Sequence, residues 1–312
     1  MGEPVLIFVM ALAGLLLSAR IFTSGAEKVG QYFKLSPFVI GVFIIGIGTS
    51  LPELVSALFS VHKGVSQIIP GNIFGANIAN ILLILGVVAA FGKKGIELSS
   101  RYIMIDLHYL LGTALLFILM AYDGQIFTGE GVLCLMAFLI HTLYLLRGGD
   151  KKHSSPKEEP VHIPFPVKES LMMAVSAVGI YFSGEYTVTS LEKIARVLEI
   201  PAAVISLTVL SLGTTLPELA VSFILIRKNQ QEEAVGNVLG SCIFNATMIP
   251  GMASMLGVID VPGELLALPV AVFLGATIFF YLITHDKKIS TWEGMLFILF
   301  YAAFLLKTAG AV

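Results

Sequence analysis

Apolar residues run through this chain in ten long stretches separated by short polar intervals. At about 20 residues per membrane span, they fall at 3–22, 36–61, 68–91, 102–121, 126–146, 166–186, 201–226, 233–257, 263–284 and 290–309. Stretches of this length are read as transmembrane helices, because a helix satisfies its own backbone inside lipid. The one long polar interval, Arg147 to Lys168, is charged and Pro-rich. It reads as a linker, which divides the chain into 1–146, 147–168 and 169–312 with five spans in each half.

Polar residues interrupt this pattern in a particular place. Phe38 to Ile45 leads into Gly48-Thr49-Ser50-Leu51-Pro52-Glu53, and Leu54 to Phe59 follows. A carboxylate at the centre of a span costs about 2.5–3.5 kcal/mol on insertion scales, which makes it a functional candidate. Pro52 has no N–H, so the carbonyl of Gly48 loses its helical donor and a helix break is expected. Irregular backbone at membrane depth is tolerated only where it is buried in protein or lines a cavity. Carboxylate, hydroxyls and freed carbonyls are the oxygen ligands that hard cations such as Ca²⁺ take.

The arrangement returns as Gly213-Thr214-Thr215-Leu216-Pro217-Glu218. A shift of 165 residues aligns the two without a gap from 27 to 80. Glu27-Lys28 meets Glu192-Lys193, Gly71-Asn72 meets Gly236-Asn237, and Asn80 meets Asn245. Glu130-Gly131 echoes Glu293-Gly294 near the end of each half. Five spans per half is an odd number, so the halves enter the membrane in opposite directions. The predicted fold is an all-α membrane protein of ten transmembrane helices in two inverted five-helix repeats. Secondary transporters are built this way, with binding sites at the midplane where broken helices meet.

A second repeated motif runs from Pro70-Gly71-Asn72 to Asn80 and from Gly236-Asn237 to Asn245. Its glycines have the GxxxG spacing of close helix packing. Asn72 and Asn237 read as helix caps. Asn80 and Asn245 lie deeper and read as neutral oxygen ligands, with helix–helix hydrogen bonding as the plainer alternative. For Thr49, Ser50, Thr214 and Thr215 the plainer role is back-bonding to helix carbonyls, which is compatible with binding a cation. For Glu53 and Glu218 it is a pair of structural carboxylates. Asp106, His108 and His141 have no counterpart in the other half and read as interfacial or structural. Asp123, Asp260 and Glu264 read as solvated loop residues, and Trp292 as an interfacial anchor.

Composition agrees with the pattern. Of 312 residues, 56% are hydrophobic and only 13% charged, against about 25% charged in a soluble domain. The formal charge of −2 points to no nucleic acid or other strongly charged partner. Cys134 and Cys242 lie in apolar segments and read as core residues. Pro4 to Leu17 lacks a basic leader and a cleavage site, so the first helix is expected to stay. With the N-terminus outside, 15 of the 19 lysines and arginines fall in inside loops. The positive-inside rule then places both termini outside the plasma or inner membrane. A monomer working in the bilayer, with no cofactor, is expected.

The two motifs resemble the α-repeats of the cation/Ca²⁺ exchanger superfamily, in its prokaryotic sodium/calcium exchanger branch. The likeness covers G-T-[ST]-L-P-E and G-N-x-x-G-[SA]-x-I-x-N, each present twice, with the ten spans and the inverted duplication. The large cytosolic regulatory domain of animal members has no counterpart in the short linker. By motif position, the resemblance implies Ca²⁺ ligation by Glu53 and Glu218. It implies Na⁺ ligation by hydroxyls or carbonyls of Thr49, Ser50, Thr214 and Thr215, and backbone carbonyls lent by Gly46 and Ser211. Asn80, Asn245 and Ser241 match side-chain ligands of the second motif.

Two positions depart from the pattern. Ala76 stands where the first repeat has a hydroxyl, and Asn245 where well-studied members have an aspartate. Two carboxylates balance one Ca²⁺ or two monovalent ions, so the usual three Na⁺ per Ca²⁺ is expected to change, with H⁺ or K⁺ contributing. The implied mechanism is alternating access, with Ca²⁺ and monovalent cations competing for one cluster while spans 1 and 6 slide. A Ca²⁺/H⁺ antiporter is the main rival. A channel is disfavoured by the inverted repeat, and an intramembrane hydrolase by the absence of an aspartyl pair or a Ser/His arrangement.

Overall fold

The structure is a computed structural model that describes residues 2–62, 64–92, 95–98, 102–147, 165–197, 205–284 and 287–310. Within them, ten helices follow one another. The first half holds α1 (Gly2–Tyr32), α2 (Pro37–His62, interrupted at Ser50), α3 (Ile68–Phe91), α4 (Tyr102–Ala121) and α5 (Thr128–Arg147). The second holds α6 (Val167–Val197), α7 (Ser211–Arg227, with π-helical Ile205–Leu210 ahead of it), α8 (Gln231–Ser254), α9 (Leu268–Ile283) and α10 (Thr291–Thr308). Residues 148–164 of the expected linker lie outside the described residues.

Six of these helices, α1, α2, α3, α5, α9 and α10, are long and apolar enough to cross a membrane by composition alone. The apolar part of α4 is shorter, Ile105–Ala121. Helices α6, α7 and α8 are not among the six; α7 is 17 residues long, and α7 and α8 carry the polar motif residues. Elements α1 and α6 are each 31 residues long, about ten more than the spans expected at 3–22 and 166–186. The extra turns of α1 bury Ala26, Val29 and Gly30 and expose Ser24, Lys28 and Gln31. Such one-sided turns continue the helix after the apolar run has ended.

Local signals place the ends. Ser36 caps α2 by accepting the Val39 N–H at 3.3 Å, with Pro37 in the first turn, where its missing N–H does no harm. Ser290 and Glu293 form a capping box at α10. The α2–α3 and α7–α8 turns use a left-handed residue at equivalent places, Gly64 at φ 71° and Asn229 at φ 60°. Both residue types tolerate that region.

Two short antiparallel ribbons, which the all-α reading did not foresee, tie the halves together. Strand β1 (Ile96–Glu97) pairs with β4 (Lys288–Ile289), and β2 (Gln125–Ile126) with β3 (Ile259–Asp260). The registers Ile96↔Ile289 and Ile126↔Ile259 exchange under a shift of 163 residues, the offset that also relates Glu130 to Glu293. The duplication therefore extends into the loops.

Helix α8 is the centre of the molecule, packing on α2, α4, α5 and α7. It is buried almost throughout from Glu233 to Ser254, as α3 is from Ile69 to Ile78. Helices α1 and α6 pack mainly on each other at one side. There Leu15, Phe22 and Ile180 form a small core separate from the main one.

Candidate cation site

Four helices, α2 and α3 from the first half and α7 and α8 from the second, bring the two motifs together. Glycines let them approach. A Cβ on Gly240 of α8 would collide with the Val42 carbonyl oxygen of α2, and one on Gly75 of α3 with the Leu207 carbonyl oxygen ahead of α7. These two contacts are images of each other under the 165-residue shift, and they assign the GxxxG glycines to close packing.

Each motif is preceded by π-helical backbone, at Ile40–Gly46 and Ile205–Leu210. A third π segment, Ala79–Ile84, carries Asn80. Such widened turns are common at functional sites, and hydrophobic periodicity does not reveal them. In the first half the chain turns out of helical geometry at Ser50, with φ −87° and ψ 4°, as Pro52 led us to expect. The second half differs: α7 runs unbroken through Pro217. Hydroxyls bind its preceding turns, Ser211 to the Leu207 carbonyl at 2.6 Å and Thr215 to the Ser211 carbonyl at 2.5 Å.

Every candidate ligand side chain in the two motifs is buried. Glu53 and Glu218 are 1% and 0% exposed. Ser50 donates to Glu218 Oε1 at 3.0 Å across the interface between the halves. Ser241 donates to the Gly46 carbonyl at 3.3 Å. Thr49 donates to the Ile45 and Gly46 carbonyls, and Thr214 to that of Ser211. These hydroxyls therefore do back-bond. The Gly46 and Ser211 carbonyls point among them.

Several polar atoms are left over. Both oxygens of Glu53, Oε2 of Glu218, and the amide oxygen and nitrogen of Asn80 and of Asn245 are buried without a hydrogen-bond partner. A native interior holds few such atoms, and each asks for an explanation. Oxygens of carboxylates and amides gathered in this way are suited to a cation. Among the described residues, no group of three or more His, Cys, Asp or Glu gathers anywhere, and no ion pair reaches either glutamate.

The structure corrects the cap reading of Asn72 and Asn237. Both lie inside their helices, because α3 and α8 start several residues earlier. Their amides instead clasp the opposite half. Thr49 Oγ1 lies 3.2 Å from Asn237 Oδ1 and Thr214 Oγ1 3.2 Å from Asn72 Oδ1, each hydroxyl sharing its one proton between this amide oxygen and the carbonyls of its own helix, again a symmetric pair. Asn237 also donates to Ser222 at 2.9 Å. The equivalent of Ser222 in the first half is Ala57, which lines a small recess with Ser56, Ser60 and Asn72. No motif signal marked Ser222. Asn77, whose amide nitrogen donates to the Cys242 carbonyl at 3.4 Å, keeps a buried unpartnered oxygen.

Outside the site, Asp106 and His141 form a buried pair at 2.6 Å, so both are structural and neither is interfacial. His108 contacts Tyr281 at 3.2 Å. Asp123, Asp260, Glu264 and Trp292 are exposed, and both cysteines are buried and free.

Two halves of opposite sense, with polar helix segments meeting at their interface, define a secondary transporter. The comparisons give the family. The family model described as sodium/calcium exchanger protein matches residues 3–147 and 168–308, and the chain belongs to that family. It is 27% identical to the sodium/calcium exchanger MaX1 of Methanosarcina acetivorans, over 96% of this chain and 97% of that one. It is 31% identical to a putative antiporter, CaxA of Alkalimonas amylolytica, over 81% and 82% of the two chains. A solved structure of the sodium-calcium exchanger NCX_Mj superposes with a TM-score of 0.79 at 28% identity, covering 96% of each chain. The protein is thus a multi-pass membrane antiporter of the cation/Ca²⁺ exchange class. Such exchangers carry their cations without an enzymatic step or a cofactor.

Proposed function

We propose that this antiporter exchanges Ca²⁺ for Na⁺ by alternating access, with the ions held midway between Glu53 and Glu218. The observation that carries this reading is the set of buried, unpartnered oxygens on matching residues of the two halves. In this reading Glu53 and Glu218 ligate Ca²⁺, assisted by the amide oxygens of Asn80 and Asn245. Thr49, Ser50, Thr214, Thr215 and Ser241, with the Gly46 and Ser211 carbonyls, serve the monovalent ions. Na⁺ as the counter-ion is supported by the relatives named as sodium/calcium exchangers.

The working unit is one chain, made of halves 1–146 and 169–312 joined by a cytoplasmic linker at 147–168. It sits in the plasma or inner membrane with both termini outside, as the distribution of lysines and arginines favours. Helices α1 and α6, with their own small core, slide past the rest to change access. A Ca²⁺/H⁺ antiporter on the same fold is the second reading, favoured by the neutral Asn245.

The test is radiolabelled Ca²⁺ uptake into proteoliposomes, with an opposing gradient of Na⁺ alone, H⁺ alone, or neither. Uptake with Na⁺ alone is expected, and uptake with H⁺ alone selects the second reading. Glu53→Gln and Glu218→Gln are each expected to abolish uptake while the protein still inserts. Normal flux in either would overturn the site.

A further inference from the structure

We propose that the ion pair between Glu27 of α1 and Lys228 of the α7–α8 turn is a latch, which holds one end of α1 against the rest of the protein and biases the cation site against opening at that end. The inference rests on the sliding of α1 and α6 proposed above and adds a contact that governs it. Lys228 Nζ lies 2.7 Å from Glu27 Oε1 and donates to Ser24 Oγ at 3.4 Å. Ser24 and Glu27 are three residues apart and share one face of α1, so a single ammonium engages both. The Lys228 and Glu27 side chains are 33% and 20% exposed, which shields the pair in part from water and salt. With both termini outside, as proposed, this is the inner end of α1.

The pair differs in kind from the other contacts that α1 makes with the core helices. Phe22 lies over Gly48 of α2, and Ile40 of α2 over Gly30. Apolar contacts of this sort are non-directional and change little as one surface slides over another. A charge-assisted hydrogen bond is short and directional, so it distinguishes one position of α1 from the next. Glu27 belongs to the body formed by α1 and α6, which has its own small core. Lys228 belongs to the turn that joins α7 to α8, the helices that carry Glu218 and Asn245. Their bond therefore spans the interface along which the two bodies are proposed to slide.

The sequence repeats the three partners. The 165-residue shift carries Ser24 to Thr189, Glu27 to Glu192 and Lys228 to Lys63, again a hydroxyl, a carboxylate and an ammonium. Lys63 and the Glu192 side chain lie outside the described residues. The consequence of the pair that is seen is quantitative. The apparent affinity at either face is the intrinsic one reduced by the fraction of molecules open to that face. The ratio of the half-saturating Ca²⁺ concentrations at the inner and outer faces therefore follows the access equilibrium. A partly exposed ion pair shifts it by up to about fivefold, the factor for about 1 kcal/mol.

The experiment measures initial Ca²⁺ exchange by the full chain in right-side-out and in inverted membrane vesicles, driven by whichever of Na⁺ or H⁺ supports uptake. Glu27→Gln is expected to lower the inner-to-outer ratio of half-saturating Ca²⁺ by a few-fold, up to about fivefold. Lys228→Gln is expected to do the same, and serves alone if Glu27→Gln does not insert. The charge-swapped double variant Glu27→Lys/Lys228→Glu is expected to bring the ratio back toward wild type. A merely stabilising ion pair would lower the melting temperature of the single variants and leave the ratio where it was. An unchanged or raised ratio in both single variants overturns the latch, provided that wild type transports and Glu53→Gln does not. Normal flux in Glu53→Gln, or no exchange by wild type with either driving ion, overturns the exchanger reading and the latch with it.

Discussion

The glycines between the motif helices give the most direct structural test. A methyl group added at Gly240 would overlap the Val42 carbonyl oxygen, and one at Gly75 the Leu207 carbonyl oxygen. The obstacle in each case is main chain inside a helix, which cannot rotate away as a side chain can. Overpacking of a well-filled interior costs about 1–3 kcal/mol and sometimes more, and a rigid carbonyl puts these positions at the upper end. Gly46 is less severe, since the nearest atoms to its added Cβ lie at 3.1 Å. Gly112 and Gly275 sit in α4 and α9 with nothing within 4 Å of an added Cβ. There, alanine gains about 0.5–1 kcal/mol of helix stability. Melting of the five purified alanine variants, alongside Ca²⁺ uptake, reads both signs. Gly240→Ala and Gly75→Ala are expected to melt lower by several degrees, at about 2–4 °C per kcal/mol, and to lose uptake. Gly46→Ala should fall between, and Gly112→Ala and Gly275→Ala should match or exceed wild type. The reasoning fails if Gly240→Ala melts and transports like Gly112→Ala.

Two further outcomes follow from the hydrogen bonds. His141→Ala strands the Asp106 carboxylate, whose second oxygen already lacks a partner; breaking a buried pair costs about 3–5 kcal/mol. A large drop in melting temperature is expected, partly recovered in the apolar double variant Asp106→Leu/His141→Phe, and an unchanged His141→Ala would refute the pairing. Ser222→Ala removes the 2.9 Å partner of the Asn237 amide at about 1 kcal/mol, whereas Ala57→Ser offers the Asn72 amide the equivalent partner. Opposite shifts in melting temperature are expected from the two, and shifts of the same sign would show that the clasps are not equivalent.

The fold was legible because membrane helices are written in apolar runs and because the chain says the same thing twice. Ten spans, their inverted halves and the family all follow from the 165-residue shift and the two motifs. Length was misread at α1 and α6, since an apolar run ends where a helix face turns toward water but the helix does not. The ribbons at Ile96–Glu97 and Gln125–Ile126 escaped notice because two residues are too few to show alternation. Asn72 and Asn237 were placed in the right helices with the wrong task. A cap reading needs the helix start within a residue or two, and apolar periodicity does not fix it that closely. Their true partners, Thr214 and Thr49, are distant in sequence, and only the packing of α3 on α7 and of α8 on α2 could reveal them.

The departures from symmetry within the site are as informative as the symmetry. The Thr49–Asn237 and Thr214–Asn72 clasps are equal in length, and the Gly240 and Gly75 contacts are images of each other. Around the carboxylates the equality stops. Ser50 leaves its own helix to reach Glu218, whereas Thr215, its counterpart, binds back to Ser211. Glu53 is consequently left with neither oxygen bonded and Glu218 with one. The backbone follows suit, turning at Ser50 but continuing helical through Pro217. A site with exact twofold symmetry in the plane of the membrane would present the same face to both sides, and could not be open to one and closed to the other. The clasps and glycine contacts hold the halves in matching register, while the Ser50 hydroxyl, bound to the opposite carboxylate, and the Thr215 hydroxyl, bound to its own helix, carry the difference between them.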